Sequence, residues 1–78
     1  MITQNQIKSL SEEELGYLYI CCNEEFLNSG FDYFSLDMLK VFRWESIPHI
    51  LNKYSHRLKD DQKDFPKIIL DKMASNLN

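Results

Sequence analysis

The chain has 78 residues and a net charge of −3, with 44% hydrophobic, 13% aromatic and 27% charged residues. A chain this short buries only about 60% of the surface its unfolded form exposes, which excludes a two-lobed enzyme, a Rossmann or barrel scaffold and any cleft between domains. The composition is that of a globular domain, not of a disordered tail or a membrane span. One helical domain over 1–78 is expected.

Residues 1–8 contain no basic region followed by an apolar run, and the longest apolar stretch, 17–22, is six residues long. A spanning helix needs about 20. A soluble, cytoplasmic protein with no membrane partner is the expectation. Cys21 and Cys22 are adjacent in a helical stretch, where neighbouring side chains diverge by about 100° and cannot bridge. Reduced thiols follow, and no Cys-x-x-Cys spacing points to zinc or redox chemistry.

In chain order, the first start signal is Thr3 with Gln6, a capping box, flanked by Ile2 and Ile7 as a hydrophobic staple. It opens a short helical turn over 4–9. Ser11 with Glu14 repeats the box, and Leu10 with Leu15 repeats the staple. Glu12, Glu13 and Glu14 then occupy a first turn whose partial positive charge favours them. The resulting helix, 12–28, stops at Gly30, with Phe31 folding back on Phe26 as in a Schellman end.

Along that helix Leu15, Leu18, Tyr19, Cys22 and Phe26 follow the spacing of a core stripe. Tyr17, Ile20, Cys21 and Leu27 point away from it. This second stripe either packs under other helices or meets a partner. The segment 31–44 is dense in bulky side chains, with Ser35 as N-cap of a helix over 36–44 that is apolar nearly all round. Trp44 and Tyr33 are its candidate interface anchors, because aromatic residues dominate binding hot spots.

Pro48 suits the first turn of a helix over 48–59 and disfavours a helical Ile47. The inward residues of that helix are Ile47, Ile50, Leu51, Tyr54 and Leu58; the outward ones are His49, Asn52, Lys53, His56, Arg57 and Lys59. After a polar connection over 60–64, Phe65-Pro66 opens a last helix over 66–76 with Ile69, Leu70, Met73, Ala74 and Leu77 inward. The architecture is thus all-α: a compact bundle of four helices, 12–28, 36–44, 48–59 and 66–76, preceded by a short amino-terminal turn.

Catalytic and cofactor signals are weak. His49 and His56 are seven residues apart, about 10 Å along a helix, which is too far for one mononuclear site. Gly16 and Gly30 belong to no phosphate loop or nucleophile elbow. No catalytic residue, metal or cofactor is assigned, and the protein is read as non-enzymatic.

Charge is more informative. Residues 1–37 carry a balance of −6, while residues 38–59 carry +4. A helix-turn-helix outline over 36–59 would present Lys40, Arg43, Asn52, Lys53, Arg57 and Lys59 to nucleic acid. The acidic first half would repel phosphate. The favoured reading is a protein–protein interaction or regulatory module, a homodimer or an accessory to a larger protein, with Tyr17, Ile20, Cys21, Leu27 and Trp44 at the interface.

Overall fold

Two capping boxes set the first two helices. The computed structural model describes residues 1–77. Thr3 Oγ1 accepts the Gln6 N–H at 3.2 Å while Gln6 Oε1 accepts the Thr3 N–H at 2.8 Å, and α1 (Gln4–Lys8) starts there. Ser11 and Glu14 repeat the exchange at 3.2 and 2.9 Å at the head of α2 (Glu12–Asn28). At the far end of α2 the left-handed position falls to Gly30, with φ 96°, a conformation that glycine adopts without Cβ strain. The Gly30 N–H donates to the Leu27 carbonyl at 3.0 Å, and the Phe31 ring stacks on Phe26 at 4.4 Å.

The Gln6 and Glu14 side chains of these boxes also reach α4 (Phe65–Ser75). Gln6 Nε2 donates to the Met73 carbonyl at 3.1 Å, and Lys72 Nζ donates to Glu14 Oε1 at 2.7 Å. Gln6 is fully buried, so these bonds replace the water it loses; an unmet buried amide would cost about 1–3 kcal/mol. Burial acts to raise the pKa of Glu14, but the Lys72 ammonium and the Ser11 N–H outweigh it and hold the carboxyl below 4.5.

The middle of the chain departs from the expected helices. In place of an α-helix over 36–44 there is a 3-10 helix at Leu36–Val41, an extended pair at Phe42 and Arg43, and a second 3-10 turn at Trp44–Ser46. The cause is anchoring at both ends. Phe34 sits among Tyr19, Phe26 and Phe42, with ring centroids 5.4, 5.2 and 5.7 Å away. Extended Phe42 offers its carbonyl to the Ile2 N–H at 3.3 Å. A 3-10 helix rises about 2.0 Å per residue against about 1.5 Å for an α-helix, so a short segment spans the gap.

The expected helix over 48–59 is likewise shorter. α3 covers Ile47–Lys53 and continues as a 3-10 turn at Ser55–Arg57. Ile47 is helical (φ −61°, ψ −45°) despite preceding Pro48, because it enters from the preceding turn and is fully buried; that burial offsets the pre-proline restriction. α3 ends where Tyr54 buries its ring and its hydroxyl donates to Glu25 Oε1 at 2.9 Å and accepts from Asn28 Nδ2 at 3.0 Å. A further 3-10 turn at Asp60–Gln62 leads into α4.

α2, α3 and α4 pack against one another, and α1 lies on α4. Leu18, Cys21, Cys22, Leu39, Ile47, Leu51, Ile69 and Met73 are fully buried at the centre. Ala74 and Leu77, expected inward, are exposed: Leu77 lies beyond the end of α4 at Ser75, and Ala74 stands about 100° round the helix from buried Met73, on its outer side. The radius of gyration, 11.6 Å, matches the roughly 11.5 Å of a compact chain of this length. Among the described residues no buried side-chain polar atom lacks a hydrogen-bond partner. No helix among them is long and apolar enough to cross a membrane.

Candidate docking surface

α2 divides into a core strip, a partly covered flank and an open strip. Tyr17, Leu18, Cys21 and Cys22 face the core. Tyr17 donates its hydroxyl to the Leu51 carbonyl of α3 at 3.0 Å and meets Phe65 of α4 edge-on at 6.4 Å. Leu15, Tyr19 and Phe26 lie along the flank and are partly covered, with the Tyr19 hydroxyl donating to the Phe34 carbonyl at 3.0 Å. The remaining strip faces outward. At 100° per residue Glu12, Glu13, Gly16, Ile20, Asn23 and Leu27 fall within an arc of about 100°.

The second stripe expected from the sequence is therefore split. Tyr17 and Cys21 are buried and leave the candidate interface, as the helices packed on that side close over them. Ile20 and Leu27 remain 47% and 43% exposed. Trp44 is half-buried against the core, so it is not a projecting anchor. Tyr33, by contrast, is 71% exposed, and Phe31, Leu36 and Val41 in the same segment also project.

Two grooves of about 380 Å³ flank the outward strip. One is lined by Glu12, Leu15, Gly16, Tyr19 and Leu36. The other is lined by Glu13, Gly16, Tyr17, Ile20, Arg57, Lys59 and Gln62. Gly16 borders both, so the ridge between them is bare backbone. Apart from the adjacent residues and the backbone of its own helix, a Cβ built there would meet nothing within 4 Å. Glycine in a helix interior costs about 1 kcal/mol relative to alanine, and no packing inside the chain requires it here. An isolated glycine in a helical pattern is the available signal for this surface in the sequence; exposure of Leu36 and Val41 has no comparable signal, because a run that is apolar nearly all round does not show which of its faces is left open.

The charge segregation of the sequence closes on itself. Lys53 pairs with Glu25 at 2.8 Å and Arg57 pairs with Glu24, joining the basic middle to the acidic helix. The Lys53 hydrogen bond holds the Glu25 carboxyl below its usual range against the opposing effect of burial, and the Lys53 ammonium is correspondingly raised. Lys53 also stands 5.5 Å from the Tyr54 ring centroid. Lys40, Arg43, Asn52 and Lys59 are exposed. No ion pair reaches Glu12 or Glu13 among the described residues.

The reactive side chains do not converge. Burial pushes the thiols of Cys21 and Cys22 up to about 11 and about 12, which keeps them protonated and closed to solvent. His49 and His56 are exposed on the outer side of α3 and the turn after it. Among the described residues no group of three His, Cys, Asp or Glu side chains is placed to hold a metal ion. No protein-family model matches the chain, and no curated protein or solved structure matches it.

Proposed function

We propose that this is a cytoplasmic, non-enzymatic protein–protein interaction module whose docking surface is the outward strip of α2 with the adjoining 31–41 segment. One observation carries the reading: the side-chain-free ridge at Gly16, bordered by an apolar groove on one side and by exposed Ile20 on the other. A helix that gives up stability at a glycine without an internal reason is suited to close approach by another chain. Exposed Leu36 supplies apolar area on the wall of the groove beside it, and exposed Phe31, Tyr33 and Val41 lie in the same segment as Leu36. Two buried, unbridged cysteines suit a reducing compartment.

The nucleic-acid reading has less support. α3 is seven residues long, and Lys53 and Arg57 are already engaged by Glu25 and Glu24. A photo-crosslinking residue at position 36 in cell lysate, compared with one at exposed Asp71 on α4, tests the docking surface. A discrete adduct from position 36 that is absent from position 71 and abolished by Ile20→Asp is expected. Indistinguishable adducts from both positions would overturn the proposal.

A further inference from the structure

We infer that the occupant of this surface is a second copy of the chain, joined through antiparallel α2 helices with Ile20 of each copy seated over Gly16 of the other. The inference rests on the outward strip of α2 being the docking surface, and it adds the partner and the register.

A two-fold interface must be self-complementary, presenting a projection and its matching recess on one patch. The strip of α2 does so. Gly16 and Ile20 are one turn apart on the same face, the first lacking a side chain and the second projecting. A two-fold axis crossing the strip between them exchanges the two positions, so both knobs are housed at once. Because Gly16 has no Cβ, the two helix axes can come to the near end of the 8–10 Å range of packed helices.

Charge selects the antiparallel direction. Glu12 and Glu13 lie near the start of α2 without an ion-pair partner among the described residues, and they face solvent. Parallel pairing would bring the two sets of carboxylates together. Antiparallel pairing about the same axis carries Glu13 of one copy to the level of Asn23 and Glu24 of the other, where Arg57 lies. There the Arg57 guanidinium that holds Glu24 offsets part of the repulsion between Glu24 and the Glu12 and Glu13 carboxylates brought to it, whereas parallel pairing gathers those carboxylates with no cation between them.

A standard interface removes about 800 Å² per partner, about one sixth of the 5127 Å² surface of this chain. The strip of α2 supplies part of that area, and Leu36 on the wall of the neighbouring groove extends it. Among the described residues every buried side-chain polar atom of the monomer has a hydrogen-bond partner, so assembly is a second step and not a condition of folding.

Sedimentation equilibrium of the full chain tests the inference. A monomer–dimer equilibrium in the micromolar range is expected, weakened about tenfold or more by Ile20→Asp and by Gly16→Ala, with helical circular dichroism retained in both. The exposed substitution Asp71→Asn serves as a control and leaves the equilibrium unchanged. Dimers indifferent to both α2 substitutions would overturn the register. A chain that stays monomeric to high micromolar concentration would overturn self-pairing, while a position-36 crosslink to a different polypeptide would then leave the docking surface standing. Monomer without any discrete crosslink would overturn both.

Discussion

Replacing Gly16 by Ala pushes the stability of the monomer and the stability of the proposed dimer in opposite directions. Gly16 lies in the second turn of α2 with no positive φ, and the added methyl meets nothing within 4 Å beyond the adjacent residues and the backbone of its own helix. The monomer therefore gains the helix-propensity difference, about 0.8–1 kcal/mol. For a domain of this size that raises the melting temperature by roughly 4–8 °C. In the proposed dimer the same methyl occupies the recess that takes Ile20 of the partner, and symmetry introduces it twice. Dissociation increases about tenfold, equivalent to about 1.4 kcal/mol. Thermal melts followed by circular dichroism at high dilution read the first effect; light scattering at high concentration reads the second. The melting temperature of the parent chain should also rise with concentration, as dimerisation stabilises the folded form by mass action, and that rise should be blunted in the variant. A lower melting temperature at high dilution would show that the outer side of Gly16 is not open. A higher one with association unchanged would refute close helix approach.

Three further outcomes follow from the packing. Glu14→Gln keeps a capping box but loses the pair with Lys72, which is partly exposed, so stability at neutral pH should fall by about 0.5–1 kcal/mol. Because the folded carboxyl of Glu14 lies below 4.5, its contribution is present above the unfolded value and lost as pH falls through the folded one; the variant should show a shallower loss of stability on acidification, and an identical pH profile would contradict the pairing. Gln6→Ala removes the donor to the Met73 carbonyl and half of the first box, and chemical denaturation should report a loss of about 1–3 kcal/mol, with a change within error refuting the role of Gln6 as the tie to α4. Thiol reagent should modify Cys21 and Cys22 in the folded protein only at the rate of opening, given their complete burial and their elevated pKa values of about 11 and about 12; labelling as fast as in denaturant would contradict it.

The start of α1 and both ends of α2 were legible because their signals are local. Thr3 with Gln6, Ser11 with Glu14, and Gly30 with Phe31 act over three to five neighbouring positions. The second partners of Gln6 and Glu14 were not legible, since Met73 and Lys72 lie far along the chain. The end of α3 was missed for the same reason: no glycine or proline marks Tyr54, and what stops the helix is a pair of hydrogen bonds to Glu25 and Asn28. The 3-10 winding over Leu36–Val41 also comes from distant anchors, Phe34 against α2 and Phe42 against Ile2.

The surface was half legible. Ile20 and Leu27 were separable from the core stripe by periodicity. Tyr17 and Cys21 were not separable from Ile20, because helical spacing gives an angle around α2 but not which neighbours cover that angle. The segregated charges suggested association between chains, yet Lys53 and Arg57 meet Glu25 and Glu24 within one chain. Glu12 and Glu13 are among the charges left outward, and on α2 they bear on the direction of pairing more than on its strength.

Backbone-amide NMR of the unmodified chain over a dilution series tests the central claim most directly. Association through α2 predicts concentration-dependent shifts gathered at Glu12, Gly16, Ile20, Asn23 and Leu27, with α4 unaffected. Shifts confined to α3 and α4, or none at any concentration, would contradict it.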